Sequence, residues 1–344
     1  MTDPIIRPMR PEDAADWHEV RTRPGVMWGT LQVPTLSMED IRQQTAYNPN
    51  VHKLAAEVDG RMVATVGLHV TPGLQGHVGY LGMSVHDEYQ GRGLGKRLMA
   101  AILDLADNWL LLDRVCLGVY PDNKRAIHLY ESFGFVPEGV SPSVALRDGE
   151  LVDMLHMGRV RGRGLAPAPS AELVARSAGP RIQPVIRALR SDDLRAVHAL
   201  YTNPALLSAT GKLPTLQLDE VRKELCTVPR NNHIFVAEYE REIIGMVHLL
   251  QYTLRRSHSG VIRTLVVDPA WQGRGAGEAL LQAAIDLAER WLGLKRLEIS
   301  VPCTAAPAQA LCVKLGFTRE AVWKADLVEK GRLIDAFLMG RVRL

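Results

Sequence analysis

At 344 residues the chain is too long for one typical core and of the right length for two domains. Apolar residues make up 47% and charged residues 23% of it, the composition of a soluble globular protein, which excludes wholesale disorder. The formal charge of +3 comes from basic residues scattered along the chain, a weak bias toward anionic ligands that leaves no nucleic-acid footprint.

Residues 1–10, "MTDPIIRPMR", lack the apolar core of a signal peptide. No stretch approaches the roughly 18 apolar residues of a membrane span, so a cytoplasmic protein is expected. A strand at residues 5–8 leads to a helix beginning near Pro11, where Glu12, Asp13 and Asp16 suit the positive helix N-terminus. "SMEDIRQQ" predicts a second helix, with Ser37 as N-cap and Asp40 three residues on in a capping-box arrangement. A hairpin follows: "HKLAAEV", the turn pair Asp59-Gly60, then "RMVATVGLHV". The strand "YLGMSV" runs into a Gly-rich loop and a long helix with Leu94, Leu98, Ile102, Leu105 and Trp109 at helical spacing, read as core. A strand "RVCLGVY", a helix over residues 123–133 and a hairpin turning at Asp148-Gly149 complete the order β-α-α-β-β-β-α-β-α-β-β. This is an α/β pattern, a mixed sheet flanked by helices.

The whole pattern then recurs. "IIRPMRPEDAADWHEV" answers to "VIRALRSDDLRAVHAL" at an offset of 180, and "SVHDEYQGRGLG" to "VVDPAWQGRGAG" at 182, so the duplication is global. Between the copies "RGRGLAPAPSAELVARSAGP" reads as an exposed tether. The domains are therefore expected at 1–160 and 181–344, with a linker at 161–180. Cys116, Cys226, Cys303 and Cys312 show no C-x-x-C pairing and no histidine at zinc spacing, and the eleven histidines form no H-E-x-x-H. Neither a disulfide nor a metal site is expected.

"QGRGLGKRL" follows a predicted strand and opens a predicted helix. Its glycines 91, 93 and 95 let the backbone turn tightly and point N–H groups at a ligand, and the helix N-terminus favours an anion. A dinucleotide fingerprint is out of step here, and a Walker loop would need Ser or Thr where Arg97 follows Lys96. What fits is Gln-x-x-Gly-x-Gly, present in both copies. On these residues the two copies resemble the Gcn5-related N-acetyltransferase (GNAT) superfamily, whose members bind the pyrophosphate of acetyl-CoA with such a loop. The first copy resembles the bacterial amino-acid N-acetyltransferases among them.

The resemblance implies two tandem domains, each a mixed, mostly antiparallel sheet flanked by helices. It assigns Met83, Ser84 and Val85 to a splayed strand that holds the pantetheine arm, and Gln90, Gly91, Arg92, Gly93, Leu94, Gly95 and Lys96 to the pyrophosphate. In the second copy the matching positions are Leu265, Val266 and Val267, then Gly273, Arg274, Gly275, Ala276, Gly277 and Glu278. The family pattern Asn-x-x-Ala-x-x-x-Tyr-x-x-x-Gly-Phe is met by Asn123, Ala126, Tyr130, Gly134 and Phe135. Asn123 is thereby implied to cap its helix and contact the coenzyme, and Tyr130 to be the general acid. A phenol of pKa about 10 can hydrogen-bond or protonate a departing thiolate.

In the second copy Ala305 and Cys312 stand in those two places. That copy keeps the loop, and with it the means to hold CoA, but is expected to serve as a partner, the two domains packing as a pseudo-dimer. The glutamate base of some family members is replaced by Gly118, and by Ser300 in the second copy, so the sequence names no general base. His69, His77 and His86 lie near strand ends where a water relay could start, or are simply polar surface. For the acceptor, "WGTLQVPTLS" is the candidate wall, with Trp28, Leu31 and Val33 suited to an apolar side chain. The expected function is acetyl-CoA-dependent acetylation of a small primary amine, such as an amino acid, by the first domain. Acetylation of a protein amine and non-catalytic CoA binding are the alternatives.

Overall fold

The computed structural model describes residues 3–161, 179–226 and 231–343. The chain divides into two compact units, Met1–Gly164 and Leu165–Leu344. Most of the tether expected at 161–180 lies outside the described residues. No helix among the described residues is long and apolar enough to cross a membrane.

In the first unit the strands are β1 (Ile5–Pro8), β2 (Val51–Val58), β3 (Arg61–Val70), β4 (Val78–Val85), β5 (Arg114–Val119), β6 (Val136–Arg147) and β7 (Glu150–Val160). They lie in the order β1-β2-β3-β4-β5-β7-β6, antiparallel except for β4 beside β5. The turn pairs read from the sequence close both hairpins in the left-handed region: Asp59 (φ 50°) with Gly60 (φ 79°), and Asp148 (φ 51°) with Gly149 (φ 86°).

The helices are α1 (Ala14–Thr22), α2 (Pro24–Gly29), α3 (Met38–Thr45), α4 (Leu94–Asp104) and α5 (Lys124–Glu131). The short α2 was not expected; it falls at the start of the segment read as an acceptor wall. Ser37 caps α3 as its spacing suggests, accepting from the Asp40 N–H at 3.1 Å while Asp40 accepts from the Ser37 N–H at 2.9 Å. Asp13 caps the start of its helix, accepting from the Arg10 N–H at 2.7 Å, and it is also buried and takes a bidentate pair from Arg7 at 2.8 and 2.7 Å, fastening β1 to the start of α1.

One face of the sheet, through Val66, Leu68 and Leu81, packs on Leu94, Leu98 and Ile102 of α4. The other, through Ala55 and Met62, packs on Trp17 and Val20 of α1 and Ile41 of α3. The helical spacing that placed Trp109 in the core fails at its end. Residues 105–109 form a π-type turn, closed by the Leu110 N–H on the Leu105 carbonyl at 3.0 Å, and the extra residue per turn swings Trp109 out to 77% exposure. Arg159 of β7 holds the same turn through Asp107 at 2.9 and 2.7 Å.

The second unit repeats this plan. Its strands are β8 (Val185–Ala188), β9 (Asn232–Tyr239), β10 (Glu242–Gln251), β11 (Ser259–Val267), β12 (Arg296–Pro302), β13 (Thr318–Glu329) and β14 (Arg332–Val342). Its helices are α6 (Leu194–Thr202), α7 (Leu207–Thr210), α8 (Leu218–Cys226), α9 (Ala276–Asp286) and α10 (Ala306–Lys314). The π-type turn recurs at residues 287–291, leaving Trp291 82% exposed. The repeated "MGRV" has a packing cause: the buried pairs Arg114–Glu138 and Arg296–Glu320 lay their carboxylates where a Cβ on Gly158 or Gly340 would sit.

Candidate active site

The site of the first unit begins where the sheet comes apart. β4 and β5 pair only from Val78↔Arg114 to Tyr80↔Cys116, although β4 continues to Val85 and β5 to Val119. Beyond Tyr80 the two strands splay, so the β5-facing backbone groups of β4 lose their ladder partners along residues 81–85. This opening is part of a cleft of about 890 Å³ lined by Met83, Ser84 and Val85, by the Gly-rich loop, and by Asn123, Ala126 and Tyr130 of the α5 region. The residues expected to hold a coenzyme thus meet in one place.

Gly91 (φ 82°) and Gly93 (φ 77°) take left-handed conformations, and Gly93 is the N-cap of α4. The first N–H groups of that helix have no acceptor within it and face the cleft end of the loop. Gln90 braces the loop: its amide donates to the Val85 carbonyl and to Asp87, each at 3.2 Å. Lys96 and Arg125 line the same end, and Arg125 donates to the Gln90 amide oxygen at 3.2 Å. Sequence reading missed Arg125, although it stands inside the asparagine-tyrosine motif at an unspecified position. Arg92 is not among the lining residues; its guanidinium lies over the ring of Tyr89, which does line the cleft, 4.9 Å from the centroid.

Asn123 caps α5, its Oδ1 accepting from the Ala126 N–H at 3.2 Å. Tyr130 is 9% exposed, its ring 6.0 Å from that of Phe135. Among the described residues its hydroxyl has no hydrogen-bond partner, and burial, with Tyr80 nearby, pushes its pKa up to about 12. Gly118, where a glutamate base was sought, is closed off: a Cβ there would meet Met154 and would come within 3.1 Å of the Tyr80 hydroxyl.

Where an acceptor is expected, the cleft is lined by Arg21, Leu31, Gln32, Lys53, His69 and Tyr80, among others. Of the three residues expected here only Leu31 lines the cleft, packed beside Tyr120 and Met154. Trp28 lies under the Arg147 guanidinium at 4.5 Å and Val33 closes a turn with Leu36. His69 is exposed, and partial desolvation, with Lys53 nearby, lowers its pKa. His86 is not surface but buried, taking a hydrogen bond from Arg23 at 2.7 Å.

In the second unit β11 and β12 also splay, after Ile262↔Ile299. The opening differs. Val266 and Val267 are 3% and 9% exposed, and α7 packs on β11, β12 and β13. The loop retains left-handed Gly273 and Gly275, with Ala276 and Gly277 entering α9. Residues 181–182 lie against it: the Ile182 N–H donates to the Arg274 carbonyl at 2.9 Å, and the Arg181 side chain is 3.2 Å from where a Gly275 Cβ would be. Glu278, in place of Lys96, sits in the first turn of α9 and pairs with Arg181 and Lys314 at 2.8 and 2.7 Å. Ala305 makes no side-chain cap, and Cys312 is fully buried with its thiol pushed up to about 11.

The family model described as "Acetyltransferase (GNAT) family" matches residues 15–135 and 185–317. The chain belongs to this family, and it carries two such domains in tandem. The L-amino acid N-acetyltransferase AaaT of Escherichia coli (strain K12) is 34% identical over 163 residues, which are 47% of this chain and 100% of that protein. The spermidine N(1)-acetyltransferase of Vibrio cholerae is 28% identical over 165 residues, 46% of this chain and 86% of that protein. A solved acetyltransferase of the GNAT family from Streptococcus pneumoniae is 26% identical, with a TM-score of 0.42, covering 46% of this chain and 100% of that one.

Proposed function

We propose that the first unit transfers the acetyl group of acetyl-CoA to the primary amine of a small molecule, an amino acid in the first instance, and that the second unit is a non-catalytic copy. The observation that carries this reading is the continuous cleft running from the Gly91–Gly93 loop, along the unpaired edge of β4, to the Tyr130 hydroxyl. The loop N–H groups, Lys96 and Arg125 would hold the pyrophosphate, and residues 83–85 would hydrogen-bond the pantetheine amides. The acetyl group would then lie between Tyr130 and the acceptor end.

In the reaction the amine nitrogen bonds the carbonyl carbon, the carbon–sulfur bond breaks, and the nitrogen gives up one proton. Tyr130 donates a hydrogen bond to the sulfur as negative charge develops there. Complete transfer from a phenol of pKa about 12 to a cysteine-like thiolate of pKa about 8.5 would be uphill by roughly 5 kcal/mol. Charge-assisted hydrogen bonding is therefore its main contribution, and the amine nitrogen supplies the proton that leaves with the thiol.

A pH dependence follows. The Tyr130 proton is retained across the working range, so kcat/KM should rise with pH as the free amine forms and should show no falling limb below about pH 10. A falling limb near pH 8 to 9 that disappears in Tyr130→Phe would show that the phenol titrates within the working range.

The reading of the second unit rests on Cys312 and Ala305, on Glu278 replacing Lys96, and on the burial of Val266 and Val267. A carboxylate in the first turn of α9 opposes a pyrophosphate there. Calorimetric titration of the whole chain with acetyl-CoA should accordingly give one site per chain. Two sites of similar affinity would contradict the assignment.

A further inference from the structure

At the far end of the cleft from the Gly-rich loop, α1 and β2 bring two cations together. The Arg21 guanidinium stacks over Trp17 at 4.8 Å and the Lys53 ammonium approaches the same ring at 5.0 Å. Arg21 donates to the side-chain oxygens of Gln32, at 2.6 Å, and Gln44; Lys53 donates to the Gln44 carbonyl. These bonds use two of the five N–H groups of Arg21 and one of the three of Lys53.

Among the described residues neither cation is ion-paired with a carboxylate, and Asp40 is the only acid whose charge acts on Arg21. Burial pulls the Arg21 pKa down to about 10, and burial together with Arg21 lowers that of Lys53. Half-buried positive charge left in this state is costly unless an anion joins it.

Among the described residues, the cleft has no Asp or Glu in its lining. Its floor toward the splayed strands is bare. Lys53 pairs with Gly67 and Gly67 with Gly82, and a Cβ on Gly82 would meet nothing within 4 Å. Two strand spacings, about 10 Å, separate Lys53 from Gly82. A flexible lysine side chain and a small acceptor lying over the two glycines span that distance.

We propose that Arg21, supported by Lys53, anchors a carboxylate on the acceptor, so that the first unit selects amino acids over polyamines and over amines lacking the acid group. The inference rests on the acetyltransferase reading above and adds to it the residue that chooses the substrate and the group by which it is chosen. A planar guanidinium with unused N–H groups grips a carboxylate through two parallel bonds, which a neutral amine cannot reproduce. A polyamine would bring further positive charge against Arg21 and Lys53 with no acid in the lining to receive it.

The test uses the full chain and follows CoA release from acetyl-CoA. The acceptors are L-leucine, L-phenylalanine and L-methionine, the amine left by removing the carboxylate from each, and spermidine. The wild type should favour the best amino acid over its decarboxylated partner and over spermidine by at least about tenfold in kcat/KM. In Arg21→Gln the KM for the amino acid should rise about 10- to 100-fold while the KM for acetyl-CoA stays put, and the preference should collapse. Arg21→Lys should keep part of it. Lys53→Gln, read in the same way, replaces Arg21→Gln should that variant not fold. Equal use of the decarboxylated amines or of spermidine by the wild type, or a preference unchanged in Arg21→Gln, would overturn the proposal alone. Absence of CoA release with every amine would refute the acetyltransferase reading and this inference with it.

Discussion

Replacing Tyr130 by phenylalanine is expected to leave acetyl-CoA binding intact and to lower turnover about 100-fold, the scale on which loss of one hydrogen-bond donor to developing negative charge is felt. The ring is anchored independently of its hydroxyl: it is 9% exposed and packs beside Phe135. Phenylalanine fills the same volume in the same rotamer. The hydroxyl has no partner among the described residues, so removing it breaks no structural hydrogen bond. A fall in kcat with unchanged acetyl-CoA affinity therefore reports lost stabilisation of the departing thiolate. Turnover at the wild-type rate would make Tyr130 a packing residue only.

Gly93→Val should weaken acetyl-CoA binding by at least tenfold, about 1.4 kcal/mol. Gly93 has φ 77°, a region that costs a residue with a Cβ about 1–2 kcal/mol and a β-branched one more. Its immediate neighbours apart, no atom of the described residues lies within 4 Å of where that Cβ would be, so the side chain would project into open space at the loop, where the pyrophosphate is proposed to bind. The matching change in the second unit, Gly275→Val, is the control. Its Cβ would press on Arg181, and the coenzyme affinity of the chain should not move. Unchanged affinity in Gly93→Val, or an equal loss in Gly275→Val, would remove the loop of the first unit from the binding site.

How far the sequence discloses these features depends on whether their causes are local. Asp59-Gly60, Asp148-Gly149 and the Ser37–Asp40 cap were legible because a turn or a cap is decided within a few residues. The loop and the asparagine-tyrosine motif were legible because their spacing is tied to one strand end and two helix starts. Trp109 was misplaced because a π-type turn leaves no periodic trace until the helix has already slipped. The Arg21–Lys53 pair was invisible for a different reason. The two residues are far apart in sequence, and only the packing of α1 over β2 puts both on Trp17. Trp28 and Leu31 differ by three residues, yet α2 and the Arg147 stack draw the first out of the cleft lining while the second remains in it. The lost side chains of the second copy were plain in the sequence, but the approach of Arg181 and Ile182 to its loop was not.

The central claim is that the first unit joins acetyl-CoA and a small primary amine. Its most direct test is to incubate the full chain with acetyl-CoA and a panel of small amines, measuring free CoA and N-acetylated product together. The account predicts release that depends on the amine and matches the acetylated product one for one. Release that proceeds at the same rate without an amine, or no release with any member of the panel, would contradict it.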